Sequence, residues 1–273
     1  MTSQTKQTKS LSKRLVSRGY SRTAEIAYRK RLLKLVSTIK GEYVKTLDVI
    51  LEKPGMTLDS PMDDLRRALD RLASHFGSLA FEQFAIRYAS EFVDQVQRFA
   101  NKPFDPLGLD VYSKTELKRI IKASTQANVQ LIKGLTSDEC NALANLVYTN
   151  IQSGKRATEI IQAIKDYGVS DHRAKVIARD QTSKVQGAIA RSRMVSAGYE
   201  YFRWETSEDE RVRPSHRAAS NKRTKYGIGV YRFDDPPVVD GEKALPSQPI
   251  MCRCVAIPVD EDEVEAFQQR DNK

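Results

Sequence analysis

Apolar residues recur every three or four positions through most of the chain that precedes Gly198. This spacing places them on one stripe of a helix, and it predicts a first helix over residues 24–51. Pro54 and Gly55 end this segment. The stripe consists of Leu32, Val36, Ile39, Tyr43, Leu47 and Ile50.

The same period, together with capping signals, predicts the helices that follow. Ser60-Pro61 is a start signal, because Ser caps helices and Pro suits the first helical position. Ser113-Lys114-Thr115-Glu116 has the form of a capping box. The predicted helices cover residues 61–100 with a candidate break at Gly77, 114–134, 137–153, 157–167 and 171–197.

The pattern changes after Gly198, where aromatic and polar residues alternate. Tyr199 to Thr206 predicts a strand, Tyr226 to Phe233 a loose hairpin or an irregular segment, and Val255 to Val259 a last short strand. Pro258 favours an edge position for that last strand. The sequence therefore predicts an α+β fold, in which an elongated, mainly helical N-terminal part precedes a small C-terminal α+β module.

Charge divides the chain further. The net charge is +10, and residues 1–34 hold ten basic residues against a single acid. Residues 1–23 have little to bury and are predicted to form a basic, disordered arm, while residues 261–273 form an acidic tail. Between them we expect a helical stalk or bundle over 24–169 and the α+β module over 170–260.

A basic arm on a nearly neutral body is typical of proteins that contact phosphates. We therefore expect sequence-independent binding of double-stranded DNA, with a solubilising tail as the alternative. The candidate DNA-binding residues are Lys6, Lys9, Lys13, Arg14, Arg18, Arg22, Arg29, Lys30, Arg31 and Lys34.

Several other classes of protein are not predicted. No apolar run approaches the roughly 20 residues that cross a bilayer, so no membrane-spanning segment is expected. Three cysteines, two of them separated only by Arg253, do not form a disulfide framework, and a reducing compartment is the simplest account. The sequence has no phosphate-binding loop motif and no Gly-x-Gly-x-x-Gly, so it does not predict a nucleotide-driven motor.

His216, Cys252 and Cys254 are the candidate metal ligands. Imidazole and thiolate suit zinc, and Asp209 or a water molecule is a candidate for the fourth ligand. A single intervening residue strains simultaneous coordination by both cysteines. The alternative is a small core in which the cysteines act as hydrophobic residues and His216 bonds a backbone carbonyl.

Arg211 and Arg213 have two interpretations. They suit a phosphate site, because a guanidinium presents a planar fork, but Asp209 beside them favours a structural ion pair. A catalytic interpretation makes His216 a general acid or base. Only Glu205 and Glu208 are near as a second base, and only in sequence, so we do not expect an enzyme.

Five short motifs occur in a fixed order and resemble the phage head morphogenesis domain of Mu F-like minor capsid proteins over about residues 170–260. They are Ile177-Ala178-Arg179-Asp180-Gln181, Ala197-Gly198-Tyr199, Trp204-Glu205-Thr206, Asp209 through His216, and Cys252-Arg253-Cys254 followed by Pro258. The resemblance assigns structural roles to Arg179, Trp204, Asp209, Arg211, Arg213, His216, Cys252 and Cys254.

The resemblance implies a minor structural protein of a tailed-phage head, made in the host cytoplasm and located in the head interior of the virion. Its implied partners are the portal protein, the major capsid or scaffolding protein, and packaged DNA. No cofactor is implied apart from the candidate zinc ion. The alternatives are a metal-independent nuclease or toxin-like enzyme centred on His216, and a zinc-stabilised nucleic-acid-binding protein.

The sequence departs from the family pattern at two places. Family members often have Asp-Gly or Asn-Gly soon after the motif histidine, where this chain has Ala218 to Lys222. They also often have a histidine between the prolines that precede the cysteines, and here that residue is Gln248. A metal site that needs a second histidine is therefore not supported by the sequence.

Overall fold

Helices account for most of the protein in the computed structural model, which describes residues 8–14, 20–51, 59–105 and 114–271. Within these ranges the helices are α1 (Arg22–Leu51), α2 (Asp59–Phe76), α3 (Leu79–Asn101), α4 (Lys114–Gln152), α5 (Ala157–Asp166), α6 (Val169–Ser196), α7 (Pro214–Asn221) and α8 (Glu261–Asp271). The strands are β1 (Tyr201–Glu205), β2 (Arg223–Thr224), β3 (Gly227–Ile228), β4 (Val230–Arg232), β5 (Val238–Val239), β6 (Glu242–Lys243) and β7 (Val255–Val259). The predicted α+β class is confirmed.

The apolar stripe of α1 is buried along its length, as its spacing predicts. Tyr43 donates a hydrogen bond to the carbonyl of Cys140 at 3.0 Å, and Tyr28 donates to Oδ1 of Asn128 at 3.1 Å. The Tyr28 ring also stacks on Phe92 with its centroid 4.0 Å away. The buried stripe residues are Leu32, Val36, Ile39, Tyr43, Leu47 and Ile50.

Two helices that the sequence predicts as separate form the single helix α4. Gly134 inside a helix costs about 1 kcal/mol relative to Ala. Ile132 and Leu135 on either side of it are both 0% exposed, and the Thr136 hydroxyl donates to the carbonyl of Ile132 at 2.9 Å. Packing therefore outweighs the helix-breaking tendency of Gly134. Ser113, the first residue of the predicted capping box, lies outside the described residues.

The predicted break at Gly77 is present. Helix α2 ends at Phe76 and α3 begins at Leu79. The Gly77 N–H donates to the carbonyls of Ala73 and Ser74 at 3.0 and 3.2 Å, which closes the last turn of α2. The Ser78 hydroxyl then accepts a hydrogen bond from the N–H of Phe81 at 3.3 Å and caps the next helix.

Packing divides the chain into two units, and each is assembled from separate segments. The helical unit contains Ile26–Phe92 and Thr125–Ala178. The C-terminal unit contains Met1–Glu25, Val93–Ser124 and Arg179–Lys273. These units differ from the contiguous stalk and module that the sequence predicts, because periodicity and charge report only on continuous stretches of chain.

The C-terminal unit is built on an antiparallel sheet with the strand order β4-β1-β7. In the central strand β1, Phe202 lies opposite Tyr231 of β4 and opposite Pro258 of β7. The edge position of β7 agrees with its proline. Phe202 and Trp204 alternate with half-buried positions and are 0% and 1% exposed, so this face of β1 lines the core.

Residues 8–14 form a helix in the C-terminal unit, whereas the sequence predicts disorder there. Leu11 is 0% exposed, and the Thr8 hydroxyl donates to Oδ1 of Asp260 at 2.5 Å. The partners of these residues lie far along the chain, so local composition does not reveal them. Residues 1–7 and 15–19 of the predicted arm lie outside the described residues.

The predicted acidic tail contains a helix. Residues Glu261 to Asp271 form α8, and its first turn holds Glu261, Asp262 and Glu263. Carboxylates favour the positive end of the helix dipole, which explains why an acidic stretch begins a helix here. Val264 is 3% exposed and attaches α8 to the core.

None of the helices in the described part of the chain is both long enough and apolar enough to cross a membrane.

Glu139 is an ionisable residue in the core of the helical unit. It is 0% exposed, and neither of its carboxylate oxygens has a hydrogen-bond partner at normal geometry among the described residues. Burial raises the pKa of Glu139, although the Ser170 hydroxyl and the Lys40 ammonium oppose this shift. The folded state therefore holds the proton more tightly than the unfolded state. The stability of the protein therefore falls as the pH rises from the pKa of Glu139 in the unfolded chain, about 4.3, towards its pKa in the folded protein.

We expect Glu139→Gln to raise the free energy of unfolding at pH 7 by roughly 1 kcal/mol, because the variant no longer buries an unsatisfied charge. At about pH 3 the difference should vanish, since Glu139 is then protonated in both states. Urea unfolding followed by circular dichroism at both pH values measures this. Glu42→Gln is the control, because the Glu42 side chain is 42% exposed. An equal pH dependence in wild type and Glu139→Gln would contradict the assignment.

Candidate functional site

His216 is the centre of the most polar cluster in the core of the C-terminal unit. It lies in the first turn of α7, which begins at Pro214, and it is 2% exposed. Its Nδ1 lies 3.4 Å from the Sγ of Cys254 and 3.5 Å from the Sγ of Cys252. Its Nε2 lies 3.1 Å from Oδ2 of Asp240. The structure thus brings together the three candidate metal ligands predicted from the sequence and adds Asp240 to them.

Trp204 covers one side of this cluster. Its ring meets the His216 ring edge-on, with the centroids 5.4 Å apart and the planes at 89°. The buried indole N–H has no hydrogen-bond partner at normal geometry among the described residues, and it lies where it favours the ionised form of Cys254. Trp204 therefore limits the directions in which the imidazole can turn.

The segment Pro246–Cys254, here called the cysteine loop, is anchored to helix α6. Oδ1 of Asp180 accepts a hydrogen bond from the N–H of Met251 at 2.8 Å. The Ser183 hydroxyl donates to the carbonyl of Cys252, and the Ser247 hydroxyl donates to the carbonyl of Cys254 at 2.9 Å. With both carbonyls held, the two thiols point at the same imidazole nitrogen.

Gly187 allows the cysteine loop to lie directly on α6. A Cβ at position 187 would stand 2.6 Å from the Cβ of Ser247, a separation that side chains do not tolerate. Ser247 itself has a φ of 73° and Met251 a φ of 58°, a region that non-glycine residues rarely adopt. The loop conformation is therefore strained, and its contacts with α6 must stabilise it.

Asp240 holds the second nitrogen of His216. It lies in the tight turn between β5 and β6, where Asp240 and Gly241 both have positive φ values of 52° and 89°. It accepts hydrogen bonds from the Ser215 hydroxyl at 2.6 Å and pairs with Nη1 of Arg213 at 3.0 Å. The hydrogen bond from Ser215, together with those from His216 and the Arg213 charge, lowers the pKa of Asp240.

One of the two arginines of the motif makes a different contact from the one that the sequence favours. Arg213 pairs with Asp240 and donates to the carbonyl of Ile250 at 3.0 Å, whereas Asp209 was the predicted partner. Asp209 instead accepts a hydrogen bond from Arg253, which lowers the pKa of its carboxyl, and it lies 3.9 Å from Nη2 of Arg211. Both arginines thus form ion pairs, but Arg213 pairs with Asp240 because β5 and β6 bring Asp240 next to α7.

The two thiols at His216 do not behave alike. The hydrogen bond between them lowers the pKa of Cys252 and raises that of Cys254, so the pair favours one thiolate. Cys140 provides the contrast, since burial, with a smaller contribution from the charge of Glu139, raises the pKa of its thiol to about 11. Cys140 packs in the core of the helical unit and is 3% exposed.

The candidate DNA-binding residues fall into two groups among the residues that the structure describes. Arg14 donates from Nε to the carbonyl of Pro103 at 2.8 Å, and Arg31 pairs with Glu91 and stacks over Tyr88, so these two arginines support the fold. Arg29 is half-buried, and Lys6 and Arg18 lie outside the described residues. The exposed members are Lys9, Lys13, Arg22, Lys30 and Lys34.

Sequence reasoning missed Asp240 and the residues that anchor the cysteine loop. The sequence does indicate the turn that holds Asp240, because Asp-Gly between two short apolar or charged pairs is typical of a tight hairpin turn. The resemblance assigns a structural role to Arg179 in the first motif. The side chain that bonds the cysteine loop is instead that of its neighbour Asp180. The carbonyl of Arg179 accepts a hydrogen bond from Tyr20 at 3.0 Å. No local pattern points to Ser183 or Gly187.

Gly187→Ala should destabilise the C-terminal unit by about 1–3 kcal/mol, because the added methyl group overpacks the contact with Ser247. Gly41→Ala is the matched control. Gly41 also lies inside a helix, but an added Cβ there meets no atom within 4 Å, so alanine should stabilise the helix by up to about 1 kcal/mol. Thermal unfolding of both variants measures the difference. Equal effects of the two substitutions would show that the loop does not rest on α6.

Comparison with known proteins connects this geometry to a family. An uncharacterized protein of Haemophilus influenzae is 33% identical over 140 residues, which cover 51% of this chain and 29% of that protein. The chain therefore spans less than a third of the length of this curated relative. No solved structure matches the chain. The family described as Phage Mu protein F like protein matches residues 141–257, and it is the family that the motifs of the sequence resemble.

Proposed function

We propose that the protein is a minor structural component of a tailed-phage head, which associates with the portal and the inner capsid during head assembly. The observation that carries this proposal is the family match over residues 141–257. The matched stretch contains His216 and both cysteines of the cluster. On this proposal the protein is made in the host cytoplasm and resides in the head interior, next to the portal and the major capsid or scaffolding protein.

The geometry around His216 favours a structural role over catalysis. His216 is 2% exposed and both its ring nitrogens have partners, so the imidazole is not available to a macromolecular substrate. Arg213 is occupied by Asp240 and by the carbonyl of Ile250. A nuclease that used these side chains would first have to break the contacts that hold the cysteine loop.

The exposed basic residues near the start of the chain support contact with packaged DNA. Phosphate neutralisation by Lys and Arg is independent of sequence, which suits a protein that meets any part of a packaged genome. Lys30 and Lys34 lie four residues apart and therefore on neighbouring turns of one exposed face of α1. Lys9, Lys13 and Arg22 add exposed charges within the C-terminal unit.

Neutralising the five exposed basic residues should weaken DNA binding at moderate salt by about tenfold or more, because contacts with phosphates are lost. Each lost contact should also reduce the slope of log K against log salt concentration by about 0.9. Substitution is preferable to deletion, since Leu11 and Leu32 in the same segment are both 0% exposed and support the fold. Fluorescence anisotropy with a duplex over a salt series gives both quantities. The variant changes Lys9, Lys13, Arg22, Lys30 and Lys34 to Gln.

A second variant with the same loss of charge serves as the control. Its exposed lysines lie elsewhere in the described chain, and it should keep most of the DNA affinity and the salt slope. Equal weakening of both variants would assign DNA binding to net charge and contradict a role for these particular residues. The control changes Lys118, Lys122, Lys155, Lys165 and Lys175 to Gln.

Docking of the C-terminal unit on the portal is tested by site-specific photo-crosslinking. Ile250 in the cysteine loop is 66% exposed and Val238 in β5 is 63% exposed, so a photoreactive residue at either place reports on a partner. We expect portal adducts from these positions in assembling heads. Leu79, 80% exposed in the helical unit, is the matched control position. Portal adducts from Leu79 alone would place the docking surface on the helical unit and contradict docking through the C-terminal unit.

A further inference from the structure

We infer that His216, Cys252 and Cys254 bind a divalent metal ion of borderline softness, with Zn²⁺ the first candidate, and that Asp240 orients the histidine ligand. The three donor atoms lie within 4.8 Å of one another, and all three residues are buried. The inference concerns how the C-terminal unit is held together, and it is independent of the proposed role in the phage head.

The distances fit tetrahedral coordination. Zinc binds thiolate sulfur at about 2.3 Å and imidazole nitrogen at about 2.0–2.1 Å, so at a tetrahedral angle the sulfur and nitrogen atoms stand about 3.5 Å apart. The observed separations from Nδ1 of His216 are 3.4 Å to Cys254 and 3.5 Å to Cys252. Both sulfur–nitrogen distances therefore match those around a shared zinc ion.

The hydrogen-bonding capacity of the imidazole also points to a metal ion. Asp240 is an acceptor, so the Nε2 of His216 carries the proton and Nδ1 presents its single lone pair to the sulfurs. One lone pair accepts only one S–H donor, which leaves the other thiol to bond its neighbouring sulfur, yet both sulfurs lie at nearly the same distance from Nδ1. A cation between the three atoms uses the nitrogen lone pair and both sulfurs at once.

Asp240 completes a carboxylate–histidine–metal arrangement of the kind that fixes metal-binding histidines. The carboxylate is itself held by Ser215 at 2.6 Å and by Arg213 at 3.0 Å. The imidazole is thereby locked in one tautomer and one orientation. Asp240 is thus a positioning residue, and it does not contact the metal.

The sequence raised two objections to a zinc site, and the structure answers one of them directly. Two cysteines separated by one residue reach the same imidazole nitrogen because their carbonyls are held by Ser183 and Ser247. The second objection concerned Gln248, whose side-chain oxygen accepts a hydrogen bond from the N–H of Leu245 at 2.7 Å. Gln248 is therefore turned towards the loop backbone, and the proposed site does not use it as a ligand.

The first test is the metal content of the full-length protein purified under reducing conditions without chelator. We expect about one zinc ion per chain, the content of a single site. Cys252→Ser and Cys254→Ser should each lose the metal, while Cys140→Ser, which removes the remaining buried thiol, should retain it. A fully reduced wild type without metal, or equal metal content in all three variants, would overturn the inference.

Replacement of the metal by Co²⁺ gives a second readout. Two thiolates and one imidazole in a tetrahedral site should produce both sulfur-to-cobalt charge-transfer absorption and strong visible bands. Cys140→Ser should leave this spectrum unchanged. A cobalt spectrum without the charge-transfer absorption would place the ion away from the cysteines and contradict the site.

Asp240→Asn tests the positioning role without touching a ligand. The Asp240 side chain is 34% exposed, so the change leaves the buried core intact. We expect zinc affinity, measured by competition with a chromophoric chelator, to fall by about 10–100-fold while the cobalt spectrum keeps its charge-transfer absorption. Unchanged affinity would remove Asp240 from the site. Asp235→Asn, in the same exposed region and paired with Lys243, is the control.

Discussion

The C-terminal unit depends on the close packing of the cysteine loop on helix α6. Asp180, Ser183 and Gly187 are spaced three and four residues apart, so they lie on one face of that helix. The first two bond the loop backbone, and the third leaves room for Ser247. Because the loop contains residues with positive φ, it would not hold this shape alone. The helix therefore determines where both cysteines point.

That placement links three parts of the unit through one imidazole. Helix α7 supplies His216, the turn between β5 and β6 supplies Asp240, and the loop before β7 supplies the cysteines. Trp204 on the central strand packs against the ring and closes the cluster from the sheet side. Four of the five motifs that carry the family resemblance thus contribute to one structural centre, although they are widely spaced in sequence.

Periodicity predicted most of the helices, because an amphipathic stripe is a local property of the sequence. The stripe of α1 and the break at Gly77 follow from it, and the strand with Pro258 lies at the sheet edge as expected. The single helix α4 and the buried Leu11 could not be predicted in this way, since distant packing partners decide both. The grouping of Cys252 and Cys254 with His216 was predicted from the ligand chemistry of their side chains. The role of Asp240 required the three-dimensional arrangement.

The metal centre is the most direct physical claim of this account, and X-ray absorption at the zinc edge tests it on the intact protein. The account predicts two sulfur neighbours at about 2.3 Å and a light-atom shell at about 2.0–2.1 Å that includes the multiple scattering of one imidazole. A shell of oxygen and nitrogen atoms without sulfur would contradict it. A fully reduced protein that does not bind added zinc would also contradict the account.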